Sequence, residues 1–390
     1  MLTAKKSTMQ PMNRVLGSSN TIVQFYPVST PQFSGTCQFD IKSKNYIYHE
    51  FFVGFQLPAI TGVTGGSGAY YTPADFLWDR IEITWSGGNV VQNLYGDANF
   101  IQNQLFRTDE SRLINNVTMG DYKTTANRIT RSGATNYWWS NIKSIFNEVH
   151  FPQLTGGHEF TIKFFMNSAV DCINLNGGTG TPISVIQNAI LYARVSTIDG
   201  NNVNVGIANL QKSIPMKYMY NDVKQARFNV ASGVSTSSHT LSQITGNIST
   251  LFFVVRPDST YNKDGNFAFK EILDFSLLDS SNTNISGGSV VPSDIAISQL
   301  GKWWSQSSYL AEALNGTSSS FVYMWSWSGD AVRSAIDGMP NGIRLFTGFE
   351  VLKLTYKTSL SETHTVDLWA LQHNGLVVQL NKVEKITNFQ

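Results

Sequence analysis

From Thr21 onward the chain is a succession of short runs rich in β-branched and aromatic residues, each closed by Gly, Pro, Asn or Ser. Residues 21–28, 35–41, 46–57, 78–85 and 90–95 read as strands, because such side chains favour a pleated, half-buried surface and the intervening residues favour turns. The run 46–57 is almost continuously aromatic or apolar, which predicts a strand buried on both faces or one lying in an interface. Residues 61–71, with Gly-Val-Thr-Gly-Gly-Ser-Gly, read as a flexible surface loop, 97–105 and 108–119 as room for short helices, and 136–146 as a helix or a strand. A turn at 199–202 and a run to Tyr220 read as the junction, with Ala226 to Val230 opening the next strand.

The second half repeats the order of the first. Gly157-His158-Glu159-Phe160 leads into an apolar strand and then Leu191-Tyr192-Ala193; Gly348-Phe349-Glu350-Val351 leads into another and then Leu368-Trp369-Ala370. Leu251–Val255 answers Glu50–Gly54, and Ile272 answers Ile81. The spacings (Phe51 to Phe252, 201; Ile81 to Ile272, 191; Gly157 to Gly348, 191; Leu191 to Leu368, 177) drift by loop-sized amounts and never change order. Trp138-Trp139-Ser140 and Trp303-Trp304-Ser305 add a further echo. The expectation is a tandem duplication of one all-β unit. Many short strands without blade or solenoid motifs fit a sandwich or jelly roll, so the fold class is all-β, with two tandem eight-stranded jelly rolls, short helices in loops and a polar N-terminal arm.

Length agrees, since 390 residues exceed what one core usually supports. The division expected is an arm over 1–20, a first roll over 21–210 and a second over 211–390. Only 14% of residues are charged and the formal net charge is +1, which argues against a phosphate-neutralising nucleic-acid binder. Low charge together with 24 Phe, 15 Tyr and 9 Trp predicts that part of the outer surface is covered, most simply by other copies of the chain. Cys37 and Cys172 read as buried thiols. No run reaches the length of a membrane span, and Met1 to Met12 has Lys5 and Lys6 but no apolar core of a secretory signal.

Residues that could carry chemistry have simpler readings. His49-Glu50, His150 and His158-Glu159 lack the spacing of a helical metal motif, and alternation along a strand sends adjacent His and Glu to opposite faces. Glu159 and Glu350, at repeated positions, read as strand-start residues rather than a catalytic pair. Asn176 to Pro182 lacks the Lys-Ser/Thr of a phosphate loop, and the Asn-x-Ser/Thr sequences at Asn116, Asn247, Asn284 and Asn315 match chance in so Asn-rich a chain. Trp303-Trp304, Trp325 and Trp327 could stack on sugars, but read as core or subunit contacts. No catalytic, metal or cofactor site is expected, and the chain is not expected to be an enzyme.

With its arm, its two successive units, and the runs Phe321-Val322-Tyr323-Met324-Trp325, Asn341-Gly342-Ile343-Arg344-Leu345 and Gly348-Phe349-Glu350, the chain resembles the double-jelly-roll major capsid proteins of tailless, membrane-containing icosahedral viruses, the tectivirus-like and adenovirus hexon lineage. The resemblance implies a virion protein made in a host cytoplasm that trimerises into pseudo-hexameric capsomers of an icosahedral shell. Its partners would be neighbouring capsomers, minor capsid or penton proteins, and an internal membrane reached by Lys5, Lys6 and Arg14 of the arm. Sequence-specific nucleic acid is not among them. No inserted domain is visible in either half, so no separate receptor-binding head is expected. The alternatives are a carbohydrate-binding or adhesion protein of two β-sandwiches and, last, a two-carboxylate glycoside hydrolase.

Overall fold

The computed structural model describes residues 20–42, 45–70, 74–85, 88–105, 125–182, 185–258, 270–291, 322–328 and 342–387. The aromatic and β-branched runs form the strands β1 (Asn20–Phe25), β2 (Thr36–Ile41), β3 (Tyr46–Leu57), β4 (Ala69–Tyr70), β5 (Trp78–Trp85), β6 (Asn89–Tyr95), β7 (Asn136–Ile142), β8 (Phe151–Gln153), β9 (Phe160–Met166), β10 (Ile173–Asn174) and β11 (Asn188–Thr197). One sheet runs β1-β11-β3-β7, with β8 also on β3, and the facing sheet runs β2-β9-β5-β6. All the pairings are antiparallel. With the two-residue strands β4 and β10, which pair with each other, set aside, this nesting of first with last strand (β1 with β11) and of β2 with β9 is the order of a jelly roll. Its inward positions alternate along each strand, so that Phe39, Phe55 and Trp78 all meet the ring of Phe164, at 5.9, 5.7 and 5.9 Å between centroids.

The helices are α1 (Gly96–Leu105), α2 (Thr125–Ser132), α3 (Ile145–Val149) and α4 (Gly200–Gln211). The helix-or-strand stretch 136–146 is therefore a strand followed by a short helix. The junction departs further from the expectation. Residues 200–211 form a helix whose Val203, Ile207 and Leu210 lie on one side, against Ile47 and Leu154, and the next strand opens at Met216, ten residues before Ala226.

The second unit has β12 (Met216–Val230), β13 (Thr236–Thr240), β14 (Thr245–Pro257), β15 (Ile272–Leu278), β16 (Tyr323–Ser326), β17 (Arg344–Thr347), β18 (Val351–Tyr356), β19 (His364–Val378) and β20 (Val383–Ile386). One sheet runs β12-β19-β14-β16, with β17 on β14 and β20 on β19, facing β13-β18-β15. The fourth position of the facing sheet is taken by residues 284–290, which return along β15 through a paired Phe275 and Val290. Positive φ at Gly287 and Gly288 keeps this return from becoming a regular strand. The fold is a double jelly roll.

Strand register shows the duplication more sharply than the sequence echoes do. With Leu191 set against Leu368, Phe51 answers Leu251, since Ala193 and Ala370 are their partners. The ladder then skips His49 in the first roll and Ser249 in the second, at the same step. A second bulge skips Asp79 in β5 and Leu273 in β15, which makes Trp78 the counterpart of Ile272 and Ile81 that of Phe275. The expected matches Phe51 with Phe252 and Ile81 with Ile272 were thus out of register, by one residue and by three. A one-residue slip exchanges inner for outer face. It also undoes Gly157 with Gly348, because Ile162 and Leu352 are the true counterparts along β9 and β18. The Trp303-Trp304-Ser305 echo lies outside the described residues, and β16 is what takes the place of β7 beside β14.

Phe164 is fully buried among three other rings. Phe164→Ala should therefore cost about 3–5 kcal/mol, read as a lower midpoint of denaturant unfolding; an unchanged midpoint would contradict this core.

Candidate interaction surface

The two rolls meet along one seam. The outer face of the second roll's β12-β19-β14 sheet is covered by the first roll's β6, α1, α3 and the turn at 155–158. Tyr220 donates its hydroxyl proton to Val91 O (2.6 Å), Gln92 Nε2 donates to Asn221 O (2.9 Å), and Asn93 N–H donates to Asp222 Oδ1 (3.1 Å). The Asp222 carboxylate also pairs with Lys385. Thr155 Oγ1 donates to Leu380 O (2.6 Å), and His158 Nε2 donates to Gln379 O (2.6 Å). Gly157 is bare of side chain because a Cβ there would stand 2.4 Å from the Asn381 backbone. His158, raised by the sequence as a metal candidate, is a seam residue.

Charge is buried along with this seam. Asp367 pairs with Arg227 (2.6 Å) and Arg256 (3.2 Å), and Arg256 reaches across to Asp97 in the first turn of α1 (2.6 Å). The Arg256 guanidinium also lies 5.9 Å from the Trp369 ring centre. Burial pushes the Glu148 carboxyl up from its usual 4.5 to about 8, against the opposing pull of the Asn221 N–H, which it accepts at 2.7 Å, and of Lys143.

The same face of the first roll is open. Strand register makes Ile22 the counterpart of Val223, Tyr192 of Trp369 and Phe52 of Phe252. Val223 is 3% exposed, and Trp369 and Phe252 are 0% exposed, whereas Ile22 is 68% exposed. Around Ile22, Tyr192 is half-buried, and Trp139 stacks on Tyr137 (5.5 Å between ring centres) and meets Tyr192 at a tilt (5.3 Å). Trp139 lies flat because Gly54 beneath it has no side chain; a Cβ would come within 2.4 Å of the indole. Among the described residues, an apolar, aromatic sheet face is thus used twice and covered once.

The other candidates resolve individually. His49 Nδ1 lies 3.0 Å from His150 Nδ1, and His49 Nε2 lies 2.7 Å from Ser196 Oγ. Among the described residues, no three His, Cys, Asp or Glu side chains gather as metal ligands. Glu350 is buried and accepts from Thr347 N (3.0 Å), Thr347 Oγ1 (3.0 Å) and Gly348 N (2.9 Å), which makes it a turn-fixing carboxylate; strand register does not pair it with Glu159. The loop 176–182 packs on the Gly-rich loop 61–68, where Thr64 and Thr179 exchange backbone hydrogen bonds of 2.8 and 2.9 Å. Trp325 and Trp327 pack on the core, against Phe275 and Phe346 respectively, so neither offers a sugar platform. Cys37 and Cys172 are free and buried, and burial pushes the Cys37 thiol up to about 12. Lys5, Lys6 and Arg14, like Trp303 and Trp304, lie outside the described residues. The seam and its open counterpart were missed from sequence, although low charge with many aromatics pointed to covered surface.

The sequence matches no protein-family model and no curated protein. The fold is similar to that of solved capsid structures along nearly the whole chain. The PBCV-1 virus capsid aligns with TM-score 0.69 at 14% identity, covering 96% of this chain and 97% of that one. The Sputnik virophage structure gives 0.63 at 12% identity over 96% and 90%. The Faustovirus major capsid protein gives 0.62 at 9% identity over 93% and 91%. At these identities the likeness defines the architecture, that of the double-jelly-roll capsid proteins.

Two measurements test the seam. Arg256→Ala leaves the buried Asp367 with Arg227 alone and removes the Arg256 partner of Asp97, and should cost about 1.5–3 kcal/mol in chemical denaturation; a loss below about 1 kcal/mol would mean that the ion network is idle. For Glu148 the unfolded chain releases its proton near 4.5 and the folded chain near 8, so the folded state loses stability as pH rises between them. Relative to Glu148→Gln, the natural protein should therefore lose ground from pH 5 to pH 8 in thermal melts, and parallel curves would rule this out.

Proposed function

We propose that this chain is a major capsid protein, a structural subunit that trimerises into pseudo-hexameric capsomers of an icosahedral virion shell. The observation that carries the reading is the outer sheet face that occurs twice and is buried once. Within the chain, the first roll covers the second. Repeating that step from the second roll to the first roll of the next chain covers Ile22, Tyr192 and Trp139. Three chains use up all six rolls and close a ring, and closure prevents runaway growth. The fold shared with viral capsid proteins supports the same conclusion.

In this reading residues 1–20 are an arm, 21–210 the first roll and 211–390 the second. Lys5, Lys6 and Arg14 contact a neighbouring capsomer or the anionic headgroups of an internal membrane, weakly per copy but many times over a shell. Minor capsid or penton proteins complete the set of partners, and the chain reads no nucleic-acid sequence. It has no catalytic task.

Ile22 and Tyr192 point away from the core, so the pair Ile22→Asp and Tyr192→Asp should leave the fold intact. In light scattering at micromolar concentration the natural chain should have the mass of a trimer and the double variant that of a monomer. A natural chain that stays monomeric under every assembly condition would sink the reading, as would a double variant that assembles equally well.

A further inference from the structure

The first roll's open face carries one feature that its buried twin lacks. The shared bulge of β3 and β14 holds His49 in the first roll and Ser249 in the second. A bulge re-aims the side chain it carries, and here it turns His49 to the outer side, where its ring meets that of His150, 4.8 Å between centres. His150 is held from the other side. It is the left-handed residue closing α3 (φ 51°), with its N–H bonded to Phe146 O at 3.2 Å. A 3.0 Å contact between two Nδ1 atoms needs one donor and one acceptor. It exists only while at least one ring is uncharged.

We infer that the His49–His150 contact is an acid-sensitive latch on the copy-to-copy face. The inference rests on the proposed assembly. Uptake of a second proton puts two cations where neither backbone can retreat, and their separation disturbs the adjoining edge of the interface. That edge is close, because Arg194 follows on β11, directly opposite Ile22.

The surroundings favour this. Arg194 adds positive charge and is partly offset by Glu50 at 3.3 Å, which also accepts from Asn141 Nδ2 at 2.8 Å. Ser196 is neutral, α4 below carries no ionisable side chain after Asp199, and Glu148 of α3 is engaged at the seam with Asn221. Burial, His150 and Arg194 hold His49 down to about 4, and burial and Arg194 lower His150 as well, so the charge arrives on acidification below the usual histidine range.

The test is light scattering of the full chain at about pH 7.5 and about pH 4, natural and His150→Asn, with concentration varied. The natural trimer should dissociate about tenfold more readily at the lower pH, and the variant should change less than about twofold. A natural chain equally assembled at both values, or a variant that tracks it, overturns the latch. A natural chain monomeric at both values overturns the assembly reading, and the latch with it. A trimer that ignores pH overturns the latch alone.

Discussion

A sheet sandwich buries its inner faces by folding, and it then has to do something about its outer ones. In the second roll the outer face of β12-β19-β14 carries Phe252 and Trp369, which are costly to leave in water, and Asp367, which is tolerated under cover only because Arg227 and Arg256 pair with it. The first roll covers them. Much of the molecule follows from that cover. Gly157 lacks a side chain so that the turn at Asn381 can approach, Glu148 is pulled into a dry environment, and Asp97 sits where Arg256 needs a partner. The corresponding face of the first roll, with Ile22 and Tyr192, has no such cover among the described residues.

The two rolls are alike where the backbone is concerned and different on their surfaces. Both bulges recur at the same step, although each changes the direction of a strand at a site with no common side chain: His49 against Ser249, and Asp79 against Leu273. Strand geometry has been kept while the residues exposed by it have been reassigned, one set to a seam within the chain and the other to an open face.

Much of the architecture is readable in the sequence, because runs such as Tyr46–Leu57 and Trp78–Trp85 announce strands at both ends through a sudden change to turn formers. The register of the repeat is not readable in the same way. Short apolar tags match equally well when shifted by one residue, and a bulge leaves no mark in composition. Helix α4 hid behind Gly200-Asn201-Asn202, although Val203, Ile207 and Leu210 show the helical spacing. The seam could not be seen at all. Asp97, Arg256 and Asp367 are scattered along the chain and meet only after both rolls have formed. His49 and His150 were both visible as histidines, but their contact depends on one bulge and one left-handed residue.

In the proposed ring, the connection through helix α4 makes the seams of two kinds. The seam within a chain is tethered, so its two sides meet at the high effective concentration set by a short connection; the seam between chains has no tether and answers to the concentration of protein. Dilution therefore acts on every second seam only, and the smallest piece a ring can shed is a pair of rolls, never one.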